Sequence, residues 1–466
     1  MFVFYKRAIG VLVFLFLIVP AVRVSAQIKK SFTLPDLVDS AQHYLPFLLR
    51  QKALVNAANA EITDARHAFL PKSVLADEIS MGSDNAIPGS YLSYGLIPST
   101  SSGVRNSNDY QAASGNIAIF HNEYELVNFG LSKALVGRAE SNAALSQSEL
   151  DKEIYLLKWQ VGKLYFEILK NQYQLAIDGQ NVKRYENIYK VIQAITLNGI
   201  KAGADSSLAM AELSKTRTIY NRTLGEVSRL KQQLSYLTGI SFSRILIDTL
   251  EEQNRSSVSG LAYHPADSLN NPLTDYFIKQ RSLFLSTEEL VRKSYLPKIL
   301  LTGSAWGRGS SIDYNANYKT LTSGLGYQRF NYMAGVTFVY DLFNGVHKKD
   351  KLAISRNNTL ASQYELEQQE LLLNNEVRQA EEAIRTAEAN LEEVPVQIKA
   401  AKDGYDQKTA QYKAGIINLI DLTNASFLLY RSQSDYVQTL SDWFRANLDK
   451  AASTGNLDPF IQSVKN

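Results

Sequence analysis

Chemistry in a protein is carried by a few residue types at workable spacings, and here those spacings are wrong for catalysis. The five histidines (His43, His67, His121, His264 and His347) are scattered along 466 residues. No two form the H-E-x-x-H pair or another close pair that a metal site needs. There is no cysteine, which removes disulfides, thiolate catalysis and lipid attachment at an N-terminal Cys. No G-x-S-x-G elbow, phosphate-binding loop or dinucleotide fingerprint stands between a strand and a helix. Carboxylates concentrate in "EVRQAEEAIRTAEANLEE" (Glu376 to Glu393), where their interleaving with Arg and Ala reads as a solvated coiled-coil face. The expectation is a protein with no catalytic residue, no cofactor and no metal, driven by a partner.

A net charge of +3 gives no bulk attraction to nucleic acid, so no nucleic-acid partner is expected. At the N-terminus Lys6 and Arg7 precede the apolar run "AIGVLVFLFLIVPAV", which ends in "RVSA". That layout predicts a secretory signal peptide over 1–26. Pro20 and Arg23 shorten the apolar run below the roughly 18 residues of a spanning helix.

The elements that would position any site come in two copies. One separation divides Pro46 in "YLPFLL" from Pro272 in "NNPLTDYF", and again Pro71 in "HAFLPK" from Pro297 in "KSYLPK". Downstream, "ELVNFGLSKA" with Gly130 matches "YDLFNGVHKK" with Gly345, and "IKAGADSS" with Gly203 matches "YKAGIINL" with Gly415. The last pair is closer together, because the loop Ser310 to Gln328 is shorter than Ser83 to Gln111. The division expected is a first repeat over 27–239, a connecting segment over 240–265, a second repeat over 266–455 and a C-terminal tail over 456–466.

Each repeat reads as helix, strand, loop, strand, long helix, glycine turn, long helix. The prolines stop a helix and start an extended run, so strands are expected over 71–82 and 114–127, then over 297–309 and 331–343. In "NYMAGVTFVYDLF" Tyr332, Ala334, Val336, Phe338, Tyr340 and Leu342 share one face. Ala118, Phe120, Asn122, Tyr124 and Leu126 do the same, against His121, Glu123 and Glu125. Period two with one apolar-aromatic face fits a half-buried soluble sheet or a membrane barrel wall. The Ser-, Gly-, Asn- and Tyr-rich loops between paired strands are expected to be exposed.

From Gly130 to Asn198 no proline interrupts the pattern, a span on the order of 100 Å as helix. Leu150, Ile154, Leu157, Val161, Leu164 and Ile168 follow a heptad, as do Val377, Ala380, Ile384, Ala387, Leu391, Val394 and Ile398. These helices are expected to pair as coiled coils, with a local kink at Pro395. Reverse turns near 199–205 and 413–417, with glycine at positive φ, would make hairpin tips suited to contact a partner. Four strands cannot close a barrel, and lipid cannot hold an open edge. If the strands cross a membrane, copies must therefore combine, two giving eight strands or three giving twelve. A secreted coiled-coil structural or adhesive protein and a pore-forming toxin are the competing readings, although an adhesin or toxin would not need two equivalent strand hairpins.

Signal peptide, duplicated halves, the "FLP"/"YLP" and "NFG"/"FNG" junctions and the "KAG" tips together resemble the TolC-like outer-membrane efflux proteins, over roughly Ser31 to Gly455. The resemblance implies an α+β membrane protein. It would be a homotrimer with a 12-stranded β-barrel in outer-membrane lipid of a Gram-negative bacterium, continuous with a periplasmic α-helical coiled-coil tunnel. Its implied partners are a periplasmic adaptor (membrane fusion) protein and an inner-membrane pump of RND or ABC type, and its implied work is passive export. An equatorial region would be built by Ile240 to Pro265 and the C-terminal segment. The helix-to-barrel junctions would be Pro71, Pro297, Gly130 and Gly345, and the adaptor-contact tips Lys201, Gly203, Lys413 and Gly415. The resemblance also implies acids after the tip glycine of the inner hairpin, here Asp421 with Asn424 a turn later. Ala209 stands at the matching position in the first half.

Overall fold

The computed structural model describes residues 31–87, 103–197, 203–247, 271–314 and 316–464. The signal peptide expected over 1–26, the tip residue Lys201 and positions 248–265 of the connecting segment lie outside them. No described helix is long and apolar enough to cross a membrane.

Helix α1 (Leu34–Tyr44) is an element the sequence reading did not anticipate. Its start is written locally: Thr33 and Asp36 form a reciprocal capping box, which satisfies two orphan donors. Leu45 precedes Pro46 and is extended (φ −72°, ψ 116°), as the proline ring demands. This breaks α1 from α2 (Pro46–His67). Strands β1 (Lys72–Gly82) and β2 (Ala113–Val127) follow, then α3 (Leu131–Leu197) and α4 (Gly203–Thr238).

The second half has α5 (Pro272–Ser294), β3 (Lys298–Ser310), β4 (Arg329–Val339), α6 (Asn344–Lys413) and α7 (Leu419–Ser453). A short α8 (Leu457–Ser463) closes the chain. The strands form one antiparallel sheet in the order β1-β2-β3-β4, with a bulge in β2 between Glu125 and Val127.

One expectation needs correction here. Strand β4 ends at Val339, so Tyr340 and Leu342 lie beyond it. The reason is Asp341, whose carboxylate accepts from the Phe343 amide at 2.9 Å while its carbonyl accepts from Asn344. This side-chain turn competes with the ladder. The loop after β3 is mostly exposed, as its composition suggests. A 3-10 turn within it (Leu321–Leu325) nevertheless folds back onto β2, where Asn116 Nδ2 donates to Leu325 O at 2.8 Å and Ser114 Oγ to Leu321 O.

The main core sits at the waist of the helices. Val161, Tyr165 and Ile168 of α3, Leu234 of α4, and Trp443, Phe444 and Leu448 of α7 are buried there. Phe166 stacks on Phe444 (centroids 5.0 Å, 11°) and meets Phe460 of α8 edge-on at 6.0 Å. Ile245 and Ile247 also enter this core, and Phe32 N donates to Leu246 O. The tail therefore docks as a helix, and 240–247 wraps the waist. Along the heptads Leu150, Leu157, Val161 and Ile168 are buried, as are Ala380, Ala387, Leu391 and Val394. Helix α6 runs through Pro395 without interruption.

Candidate channel wall and aperture

The register sorts the sheet into two faces. Rows such as Leu75–Phe120–Ala305–Tyr332 carry the apolar and aromatic side chains, together with Leu301, Val336 and Phe338. These are exposed, Tyr332 at 89% and Leu75 at 81%. The opposite face is mixed: it carries the charged or polar Lys72, Glu78, His121, Glu123, Glu125, Lys298, Arg308 and Arg329 among apolar residues such as Ile119, Trp306 and Met333. On it Lys298 Nζ sits 2.8 Å from Glu125 Oε1, and His121 Nδ1 lies 2.7 Å from Ser304 Oγ. Asp77 is a carboxylate on the apolar face, and the Tyr327 hydroxyl donates to it at 2.9 Å. Nearly all the charge on one face, with exposed aromatic and aliphatic groups on the other, is a pattern that suits a wall between lipid and water.

At the helix-to-strand junctions the two repeats agree. Each helix ends, a backbone turn follows (Leu70 N to His67 O, Leu296 N to Lys293 O), and the residue after Pro71 or Pro297 opens a strand. At the strand-to-helix corners they differ. Gly130 has φ +90° and follows Phe129 at φ +49°, a conformation that suits glycine. Gly345 is instead the second residue of α6 and not at positive φ.

The tips diverge in the same way. Gly415 has φ +75°, and Ile416 N donates to Gln411 O while Gly415 N donates to Tyr412 O. This is a Schellman close on α6 just after Lys413. Gly203 begins α4 without positive φ, so the expected positive-φ reverse turn at that glycine is not what it makes. The residues flanking each glycine decide this: Asp205 favours a helix start after Gly203, whereas Asn418 delays one after Gly415. Asn418 accepts from Asp421 N at 2.9 Å as the cap of α7.

Asp421 and Asn424 are exposed on the first turns of α7 and line a groove against α6 with Tyr405 and Lys408. Ala209, the counterpart of Asp421, is instead buried in the tip core with Tyr185, Ile192, Leu213, Leu419 and Leu422.

Sequence reasoning missed the polar contacts joining the two hairpins. Asp178 of α3 is 1% exposed and accepts from Tyr430 OH (2.9 Å), Thr223 Oγ1 (2.6 Å) and Gln174 Nε2 (2.9 Å). Burial, then the neighbouring Asp178, pushes the Tyr430 phenol up to about 12. Arg184 lies over the Tyr405 ring at 5.3 Å and donates to Ser426 O at 3.3 Å, and burial pushes its guanidinium down. The signal for this network was slight: Gln174 and Asp178 at i, i+4 on an otherwise apolar stripe. Among the described residues no group of three or more His, Asp or Glu is placed to hold a metal ion.

A single sheet with segregated faces, continued by two long helical hairpins, defines the class: this is the fold of the TolC-like outer-membrane channels. Residues 280–456 match the family model described as outer membrane efflux protein, and the likeness expected from the motifs is borne out. The outer-membrane channel OprN superposes with a TM-score of 0.73 at 16% identity, covering 91% of this chain and 90% of that one. VceC from Vibrio cholerae gives 0.73 at 14% identity, covering 91% and 96%. The CmeC outer membrane channel of Campylobacter jejuni gives 0.73 at 15% identity, covering 91% and 86%. No curated protein matches the sequence.

Proposed function

We propose that this chain is the passive outer-membrane duct of a tripartite export system, working as a homotrimer. The observation that carries the reading is the sheet. Among the described residues β2 and β3 are paired on both sides, whereas β1 and β4 are free edges, and β1 is exposed at every residue. Lipid leaves unpaired backbone groups unsatisfied, so the edges must close on other copies. Three copies give twelve strands, enough for a lumen lined by the charged face. A soluble adhesive head would instead bury Phe120, Tyr332, Val336 and Phe338, all exposed here.

In this assembly α3/α4 and α6/α7 form a periplasmic tunnel about 100 Å long, and Lys72 and Lys298 sit at the periplasmic membrane surface. The tips, with Lys201, Gly203, Lys413 and Gly415, meet a periplasmic adaptor protein, and an inner-membrane pump of RND or ABC type supplies the energy. Three copies of Asp421 with Asn424 ring the aperture and favour cations. Purified protein in planar bilayers tests this: it should conduct, and Asp421→Ala should weaken block by divalent cations. Unchanged block would remove Asp421 from the aperture, while a chain that never conducts would sink the duct.

A further inference from the structure

The charged face of the sheet is not uniform along its length. Toward the helices, Lys298 is neutralised by Glu125. Toward the loops, Arg308 of β3 stands directly opposite Arg329 of β4. Directly opposed residues of an antiparallel pair have Cβ atoms roughly 4.5–5.5 Å apart, and like charges there are destabilising. Both side chains are exposed, and among the described residues neither makes an ion pair. Arg329 Nη1 donates to the adjacent Gln328 O at 3.0 Å. The nearby carboxylate of Asp313 is occupied by Lys319 at 2.9 Å. Glu78 shares the row but stands on β1, with Ile117 between it and Arg308.

We propose that Arg308 and Arg329 form a binding site for soluble oxyanions, phosphate or carboxylate in class, at the outer mouth of the duct. The proposal rests on the channel reading, which puts the charged face in the lumen and repeats the pair in each copy. Guanidinium groups present a planar fork of donors that matches the oxygens of phosphate and carboxylate. An anion between the pair removes their mutual repulsion, and a water-filled barrel with low-dielectric walls focuses the field of the ring. The duct is then electrically polar, acidic at the Asp421 end and basic at the mouth, so anionic cargo is drawn outward after passing the tip.

The test is block of current by pyrophosphate in planar bilayers, added to one side at a time. In the wild type, pyrophosphate on the loop side should block, and the block should weaken as salt is raised. Replacing both arginines (Arg308→Gln with Arg329→Gln) should weaken the apparent affinity about tenfold or more, on the scale of losing charge-assisted hydrogen bonds. Arg308→Lys with Arg329→Lys should keep most of it. Wild-type channels that conduct but are not blocked from the loop side overturn the site alone. So does a Gln variant blocked as well as the wild type. If the Gln variant does not fold, the wild-type block and its salt dependence decide. A wild type that never conducts overturns the channel reading and the site with it.

Discussion

The two helical hairpins follow the same order of elements yet are finished differently. Helix α3 is surrounded by its own chain: α2, α4, α5, α7 and α8 all pack on it, and Val161, Tyr165 and Ile168 are sealed. Helix α6 is as long but is packed chiefly by α5 and α7, and it leaves Leu371 (72% exposed), Val396 and Tyr364 open. The sheet repeats the lesson, with β2 and β3 complete and β1 and β4 open. One part of the chain is a finished core. The rest leaves apolar side chains exposed, which is what the proposed assembly with other copies would cover.

The sharpest way to break that contrast is to cut one residue from each side. Phe444→Ala removes a ring packed among Phe166 and Trp443 and should cost about 3–5 kcal/mol in chemical denaturation of the detergent-solubilised protein. Leu371→Ala should change the stability of the single chain by no more than about 0.5 kcal/mol, while lowering the fraction assembled. Equal costs would mean that α6 is as complete as α3.

A smaller effect separates the tips. Gly415→Ala forces a methyl group into φ +75° and should cost about 1 kcal/mol. Gly203→Ala has open space and an ordinary helical backbone, so it should be neutral or slightly stabilising. A matching loss at both positions would restore the equivalence that the sequence suggested.

The least effect concerns the joint between hairpins. The Tyr430 phenol is raised from 10.0 to about 12, so its contribution is complete below pH 10 and is lost as pH rises through about 12. The slope of stability against pH in that window should flatten in Tyr430→Phe. An unchanged slope would detach Tyr430 from the Asp178 joint.

What the sequence made legible was whatever is one-dimensional. Proline placement reported the breaks at Pro46, Pro71, Pro272 and Pro297, period two reported the sheet faces, and heptads reported Val161 and Ala387 as seam residues. Features that depend on distant partners were silent. Asp178 reads as one more surface acid until Thr223 and Tyr430 arrive from other helices. Phe460 reads as a tail until Phe166 receives it, and the fold-back of the second loop depends on Asn116 of another strand. Identical "KAG" letters hid two different turns, because Asp205 and Asn418 decide where each next helix starts. The candidate site was legible as a position, Asp421 after a tip glycine, but its capping geometry was not.

The central claim is that β1 of one copy closes on β4 of the next. Because the chain has no cysteine, Ala76→Cys on β1 combined with Thr337→Cys on β4 can be joined selectively by a short bismaleimide in intact membranes. Within one chain the row of Ala76 ends at Asn331, so Thr337 is three strand spacings away and six residues further along, more than about 20 Å in all and beyond a short linker. The account predicts covalent trimers on a denaturing gel, whereas monomers alone, or dimers that never extend to trimers, would contradict it.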